Sequence, residues 1–95
     1  MPTAVSILGN VTTEYKVYPN PAREQLNVRM NVNAALDLQM QLTDVSGKAM
    51  WKQHVQFNKD KKEISIDMSH LSSGIYFLNI YDKNNKVYEV KVMKD

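Results

Sequence analysis

The sequence predicts an all-β chain folded as a seven-stranded, immunoglobulin-like β-sandwich. Three observations carry this expectation. Apolar residues recur at every second position through several short runs, the period of a strand with one buried face. Clusters of Gly, Pro, Asn, Asp and Ser separate those runs at roughly 8–12-residue intervals, as in sandwiches and barrels. No segment sustains the 3.6-residue period of a long helix.

In chain order, Met1 to Thr13 reads as a linker. It is partly polar and contains Pro2, Gly9 and Asn10, and it lacks the basic segment and long apolar stretch of a secretory signal peptide. The domain proper is expected over 14–95. Tyr15-Lys16-Val17-Tyr18 forms a short strand, interrupted by Pro19-Asn20-Pro21-Ala22. Two prolines at alternate positions remove two backbone donors and favour an extended or edge segment. From Glu24 to Val32, Leu26, Val28, Met30 and Val32 point inward while Gln25, Asn27, Arg29 and Asn31 point outward. After a turn at Asn33-Ala34-Ala35, Leu36, Leu38, Met40 and Leu42 repeat the pattern.

Asp44-Val45-Ser46-Gly47 reads as a tight turn, with Asp accepting from amides ahead of it and Gly supplying the left-handed position. Lys48 to Phe57 returns, with Ala49, Trp51, Val55 and Phe57 on one parity and Gln53 interrupting them. Asn58 to Lys62 is a polar loop, and Ile64, Ile66 and Met68 form another half-buried strand. Met68-Ser69-His70-Leu71 makes a corner before Gly74. Ile75 to Tyr81 is apolar on both parities: Ile75, Phe77 and Tyr81 on one, Tyr76, Leu78 and Ile80 on the other. That pattern predicts a strand covered on both faces or sitting centrally in a sandwich, here the central strand against which the rest packs, preceded by a glycine needed for positive φ or for close backbone approach. Asp82 to Lys86 is a hairpin turn in which Asn tolerates positive φ. Val87 to Met93 closes the fold, with Tyr88, Val90 and Val92 inward.

Ninety-five residues suffice for one domain. The chain has no cysteine, which removes disulfides and thiolate metal sites. No run of about 18 apolar residues could form a spanning helix. The net charge is +2, and nine of the twelve basic residues lie from Lys48 onward. These lysines alternate with apolar residues or sit in turns, without the basic stripe and interleaved aromatics of a nucleic-acid site. No nucleic-acid partner is expected. His54 and His70 are the only histidines and fall on separate elements, so neither a nucleophile–base pair nor a spaced metal site is legible. The expectation is a non-enzymatic domain with no catalytic residue, metal or cofactor. Trp51 reads as a core residue, with an exposed sugar-stacking ring as the alternative.

The motifs also fall in a telling order. Tyr18-Pro19-Asn20-Pro21-Ala22 and Leu26-x-Val28 come first, then Leu42-Thr43-Asp44-Val45-Ser46-Gly47-Lys48. Ile66-Asp67-Met68-Ser69-x-Leu71-Ser72-Ser73-Gly74-Ile75-Tyr76-Phe77-Leu78 and a basic, β-rich tail follow. Over about Tyr15 to Lys94 this closely resembles the C-terminal sorting domain of cargo exported by the type IX secretion system of Bacteroidetes bacteria. Each motif alone is common; their order and spacing make the signal. The resemblance implies a sandwich that serves as an address. It is read by the outer-membrane type IX translocon and its shuttle proteins after transit through the periplasm. A sortase-like transpeptidase then usually cuts before the domain and joins the cargo to an anionic lipopolysaccharide. The cargo ends at the outer membrane, on the cell surface or secreted, and the segment 1–13 would be what remains of the link to it. Some relatives instead keep the domain as a permanent part of the machinery.

The recognition residues implied by the resemblance are Pro19, Asn20 and Pro21; Gly74 and Tyr76; and Lys91, Val92, Met93 and Lys94. Family members often carry a glycine after the proline pair, where this chain has Ala22 and Arg23. Each motif has a structural reading as well. The prolines would blunt an edge strand; Gly74 and Tyr76 would serve the backbone and core; the terminal lysines would cap a solvated strand. A second functional reading is a non-catalytic fibronectin-like or carbohydrate-binding surface module, since fold alone does not fix function. An uncovered edge strand would let two copies pair as a homodimer or let a partner add a strand.

Overall fold

The computed structural model describes residues 3–8, 11–32 and 34–95, with side chains described from Glu14 onward except at Asn33. Eight strands follow in order: β1 Thr3–Leu8, β2 Val11–Tyr18, β3 Gln25–Val32, β4 Leu36–Asp44, β5 Ala49–Phe57, β6 Glu63–Asp67, β7 Gly74–Asp82 and β8 Asn85–Lys94. They form two antiparallel sheets, ordered β1-β2-β3-β6 and β5-β4-β7-β8. The seven expected strands correspond to β2 through β8, and the architecture is the predicted immunoglobulin-like sandwich. The eighth, β1, falls where the sequence reads as a linker. It pairs along β2 from Thr3↔Lys16 to Leu8↔Val11 and so covers a sheet edge. Such pairing uses backbone groups and needs no inward apolar row to announce it.

The inward parities of β3 and β4 carry most of the core. Leu26, Val28 and Met30 of one sheet and Leu38, Met40 and Leu42 of the other are fully buried. Their alternation with polar neighbours is what a strand with one wet face requires. Tyr15, Val17 and Ile66 complete one wall, and Phe57, Leu78, Ile80 and Val92 the other. Tyr15 of β2 stacks on Tyr88 of β8, ring centroids 4.4 Å apart and planes 9° from parallel, tying the two sheets along one side. Burial raises the pKa of the Tyr88 hydroxyl, with the neighbouring Tyr15 adding to the rise.

Of the two readings of β7 the central one holds, and two further expectations, on β5 and in the β7–β8 turn, need correction. The outward face of β7 is only partly covered: Ile75 is exposed, Phe77 and Tyr81 are half-buried, and Asn79 is buried. β7 is central because it lies between β4 and β8 in one sheet, not because both its faces are packed. On β5, Ala49 does not share the inward parity of Trp51. Leu42 pairs with Trp51 while Thr43 pairs with Ala49, so Met50 is the extra residue of a bulge and the face reverses there. Trp51 and Met50 both pack, partly buried, against the core. In the β7–β8 hairpin the residue with positive φ is Lys83, at 59°, rather than an asparagine. Gly74 has φ of 151°, yet a Cβ there would meet nothing within 4 Å. Its glycine serves the backbone angle and not a close approach.

The turn at Asp44 forms as expected. Its Oδ1 accepts from the Ser46 amide at 2.9 Å, the Ser46 hydroxyl at 2.7 Å and the Lys48 amide at 3.0 Å, and Gly47 has φ of 89°. Asp67 repeats the device, accepting from the Ser69 amide and hydroxyl at 2.9 and 2.7 Å. Leu71 then closes the corner by donating its amide to the Met68 carbonyl. Of the turn expected at Asn33-Ala34-Ala35, Asn33 lies outside the described residues.

Candidate recognition surface

Three sequence motifs that are far apart in the chain meet at one end of the second sheet. β7 and β8 pair as Gly74↔Lys94, Ile75↔Met93, Tyr76↔Val92 and Phe77↔Lys91. The Gly-x-Tyr motif therefore lies directly beside the terminal basic motif. The proline segment crosses from the end of β2 to the outer edge of β8 and straps it. Ala22 forms a parallel bridge with Lys94: its amide donates to the Met93 carbonyl at 2.7 Å, and its carbonyl accepts from the Asp95 amide at 2.8 Å.

Asn20 completes the strap with its side chain. Its Oδ1 accepts from the Met93 amide at 3.0 Å, and its Nδ2 donates to the Lys91 carbonyl at 3.0 Å. A carboxamide offers one acceptor and donors, so Asn20 mimics the backbone of a neighbouring strand. Prolines can sit on either side of it because an edge strap with no outer neighbour needs no backbone donor there. Tyr18-Pro19 and Asn20-Pro21 are both cis. Pro19 and Pro21 line an open groove with Arg23, Glu24, Gln25 and Asn27.

Tyr76 has only 6% of its surface exposed. Its hydroxyl donates to the Ser72 carbonyl at 2.7 Å. A tyrosine near the start of a late strand bonding back a few residues upstream is the tyrosine corner of such sandwiches. Gly74 and Tyr76 thus have a structural role that accounts for their spacing. In the tail, Val92 is fully buried while Lys91 and Met93 are exposed. Arg23 reaches Asp95 at 3.6 Å, both side chains largely solvated. Ala22 is fully buried and has no positive φ, so the strap does not require the glycine often found there.

Elsewhere the polar side chains are engaged on sheet surfaces. Gln25 donates to Asn27 Oδ1 and Ser65 Oγ, and the Tyr18 hydroxyl donates to Glu63, whose hydrogen bond is the main cause of a raised Tyr18 pKa. His54 Nε2 lies 2.8 Å from Asp37 Oδ1 in a solvated pair, and His70 is exposed in the corner after β6. Among the described residues no three His, Asp or Glu side chains cluster as metal ligands would.

The strap, the corner and the end of β8 thus form one continuous part of the sandwich surface. Comparison with known proteins places the chain. The family model for the secretion system C-terminal sorting domain matches residues 16–95, and the chain belongs to that family, the type IX sorting signals. Sorting domains of this kind are generally non-catalytic and imply export through the outer membrane with the aid of the secretion machinery. No curated protein matches.

Among solved structures, dimeric latent PorU from Porphyromonas gingivalis superposes with a TM-score of 0.65 at 16% identity. The match covers 92% of this chain and 10% of that one, so this chain spans a tenth of PorU's length. A DUF3244-family protein with an immunoglobulin-like β-sandwich fold from Bacteroides vulgatus superposes with a TM-score of 0.66 at 15% identity, covering 99% of this chain and all of that one. At such identities these likenesses speak for the fold.

The resemblance named these nine motif residues but not the bonds that join them. Asn20 and its partners are separated by 71 and 73 residues, and local pattern carries no signal over that distance.

Proposed function

We propose that this domain is a non-enzymatic export address, borne by a cargo protein and read in folded form by the outer-membrane type IX translocon and its shuttle proteins. The observation that carries the reading is the convergence of the proline strap, the glycine–tyrosine corner and the basic tail on one end of one sheet. Within that surface, Pro19, Asn20, Pro21, Lys91 and Met93 are the residues a partner reaches. Gly74, Tyr76 and Val92 set the shape beneath them, and Lys94 anchors the tail. A sortase-like transpeptidase cuts before the domain and transfers the cargo to a surface lipopolysaccharide.

The test is a periplasm-directed fluorescent reporter carrying this chain at its C-terminus. In a Bacteroidetes host with an intact translocon, the reporter reaches the surface or medium; in the same host lacking the translocon, it stays in the periplasm. Retention in both hosts overturns the proposal. A diffuse rise in reporter mass marks transfer to lipopolysaccharide. Removing Lys91 to Asp95 is a poor test, because it strips buried Val92 from the core and the strap from its partner. The carbohydrate-binding alternative keeps only the fold in its favour, since Trp51 packs, partly buried, against the core and no aromatic ring among the described residues is fully exposed.

A further inference from the structure

The sheet edges are closed in different ways. At β8 the strap takes up the outward backbone groups of Lys91, Met93 and Asp95. β5 carries the Met50 bulge and exposed Lys52, and β6 is only five residues long. Bulges, lysines and shortness all discourage a further strand. The remaining edge is β1, which pairs with β2 and is the outermost strand of its sheet. β2 has its own hold on the fold. It pairs with β3 from Thr13↔Val32 to Tyr18↔Asn27, and Tyr15 and Val17 are fully buried. The residues matched by the sorting-domain family begin at 16, so β1 lies outside them.

β2 carries two charges that this cover leaves unanswered. Lys16 lies opposite Arg29 of β3, and like charges directly opposite are destabilising. Glu63, next in that row on β6, lies 4.0 Å from Arg29 and accepts from the Tyr18 hydroxyl. On the other side Lys16 is opposite Thr3 and Glu14 opposite Val5, and no residue of β1 is charged. Glu14 accepts a hydrogen bond from Asn31 Nδ2 at 3.3 Å. Neither Glu14 nor Lys16 has an ion-pair partner among the described residues.

We infer that β2 is a self-association edge gated by β1: once residues 3–8 are drawn off, two copies pair through their β2 strands, antiparallel about Tyr15. Charge selects both occupant and register. Centring on Tyr15 places Glu14 of each copy opposite Lys16 of the other, giving two opposite-charge pairs on one face. Centring one residue either way sets Glu14 against Glu14 or Lys16 against Lys16, and parallel pairing in register does both. Opposite charges across strands stabilise a sheet and like charges do the reverse. The inference rests on the sorting reading only for the event that draws β1 off, a cut ahead of residues 14–95 that leaves β1 with the cargo. The released domain then dimerises, and the domain still joined to its cargo stays monomeric.

Sedimentation velocity of the purified full chain tests this, since β1 can be opened without shortening the protein. Ser6→Pro/Ile7→Pro removes two adjacent backbone donors, so pairing fails whichever of them is turned toward β2. Val5→Gly/Ile7→Gly loosens the same strand more gently. The expected result is a monomeric wild type and a concentration-dependent dimer of both opened variants, at least about tenfold tighter than any wild-type association. Adding Lys16→Glu, which sets a carboxylate opposite Arg29 and so spares the fold, weakens that dimer about tenfold or more. Adding Glu14→Lys as well restores it. A folded opened variant that stays monomeric at every concentration overturns the inference, and so does a dimer indifferent to Lys16→Glu. Loss of the thermal transition in both opened variants overturns it too, because β1 is then part of the fold and not a cover. A folded, monomeric opened variant that takes up a labelled peptide of residues 3–8 assigns the edge to an extended segment instead of a second copy. Export is a separate measurement: a reporter retained in the periplasm of the intact host overturns the sorting reading and leaves the edge as sedimentation finds it.

Discussion

Replacing Asn20 by alanine tests whether the strap holds the end of β8 in place. The substitution removes two hydrogen bonds, to the Met93 amide and the Lys91 carbonyl, each 3.0 Å long. A net value of about 0.5–1.5 kcal/mol per bond applies, toward the lower end where water competes at the surface. The loss is therefore about 1.5 kcal/mol, which for a domain of this size lowers Tm by about 6–12 °C. Asn20→Asp sharpens the test. It keeps an acceptor for Met93 but turns an oxygen toward the Lys91 carbonyl where a donor stood, so it destabilises at least as much as alanine. Thermal melts give the magnitude, and amide exchange locates it: Met93 loses protection first, while Leu42 and Leu78 in the sheet interior exchange more slowly. An Asn20→Ala domain with Tm within about 2 °C of the wild type and an equally protected Met93 amide would refute the strap as a tether.

The remaining predictions concern the corner and the turns. Gly74→Ala forces a side chain into positive φ and costs about 1–3 kcal/mol, read as a lower urea midpoint with unchanged slope; an unchanged midpoint would show that the backbone there relaxes freely. Tyr76→Phe leaves the Ser72 carbonyl without its donor and costs about 0.5–1.5 kcal/mol, and a neutral substitution in the same urea series would dismiss the corner. The third prediction is a pH dependence. The Asp44 carboxyl lies below its ordinary value of 3.8, chiefly through the Ser46 hydroxyl and the Lys48 amide, and Asp67 likewise through the Ser69 hydroxyl and amide. Because the folded pKa is the lower one, the stabilisation is complete above the unfolded value and is lost as pH falls through the folded value. Asp44→Asn/Asp67→Asn therefore melts below the wild type at pH 7, and the gap narrows on acidification to below pH 3.8. A gap independent of pH would mean that the carboxylate charge does not hold these turns.

Much of the fold was legible in the sequence. Four cycles of apolar–polar alternation in 26–32 and again in 36–42 determine strands whose inward residues can only be Leu26 to Val32 and Leu36 to Leu42, because a one-residue slip would turn every side chain to the wrong face. Asp44 with Gly47 determines its turn, since a carboxylate two residues ahead of an amide and a residue free to take positive φ are local requirements. Alternation says which side of a strand is wet only while pairing stays regular. The extra residue at Met50 reversed the face of Ala49, and no feature of residues 48 to 51 announces that bulge. Nor does the run from Ile75 to Tyr81 reveal that its second apolar face remains partly open. Composition records how apolar a strand is, whereas its cover depends on what the other sheet reaches. The meeting of the three motifs belongs wholly to the tertiary structure. Asn20 meets Lys91 and Met93, and Gly74 meets Lys94, through contacts between strands distant in the chain, where strand order and register decide which residues become neighbours.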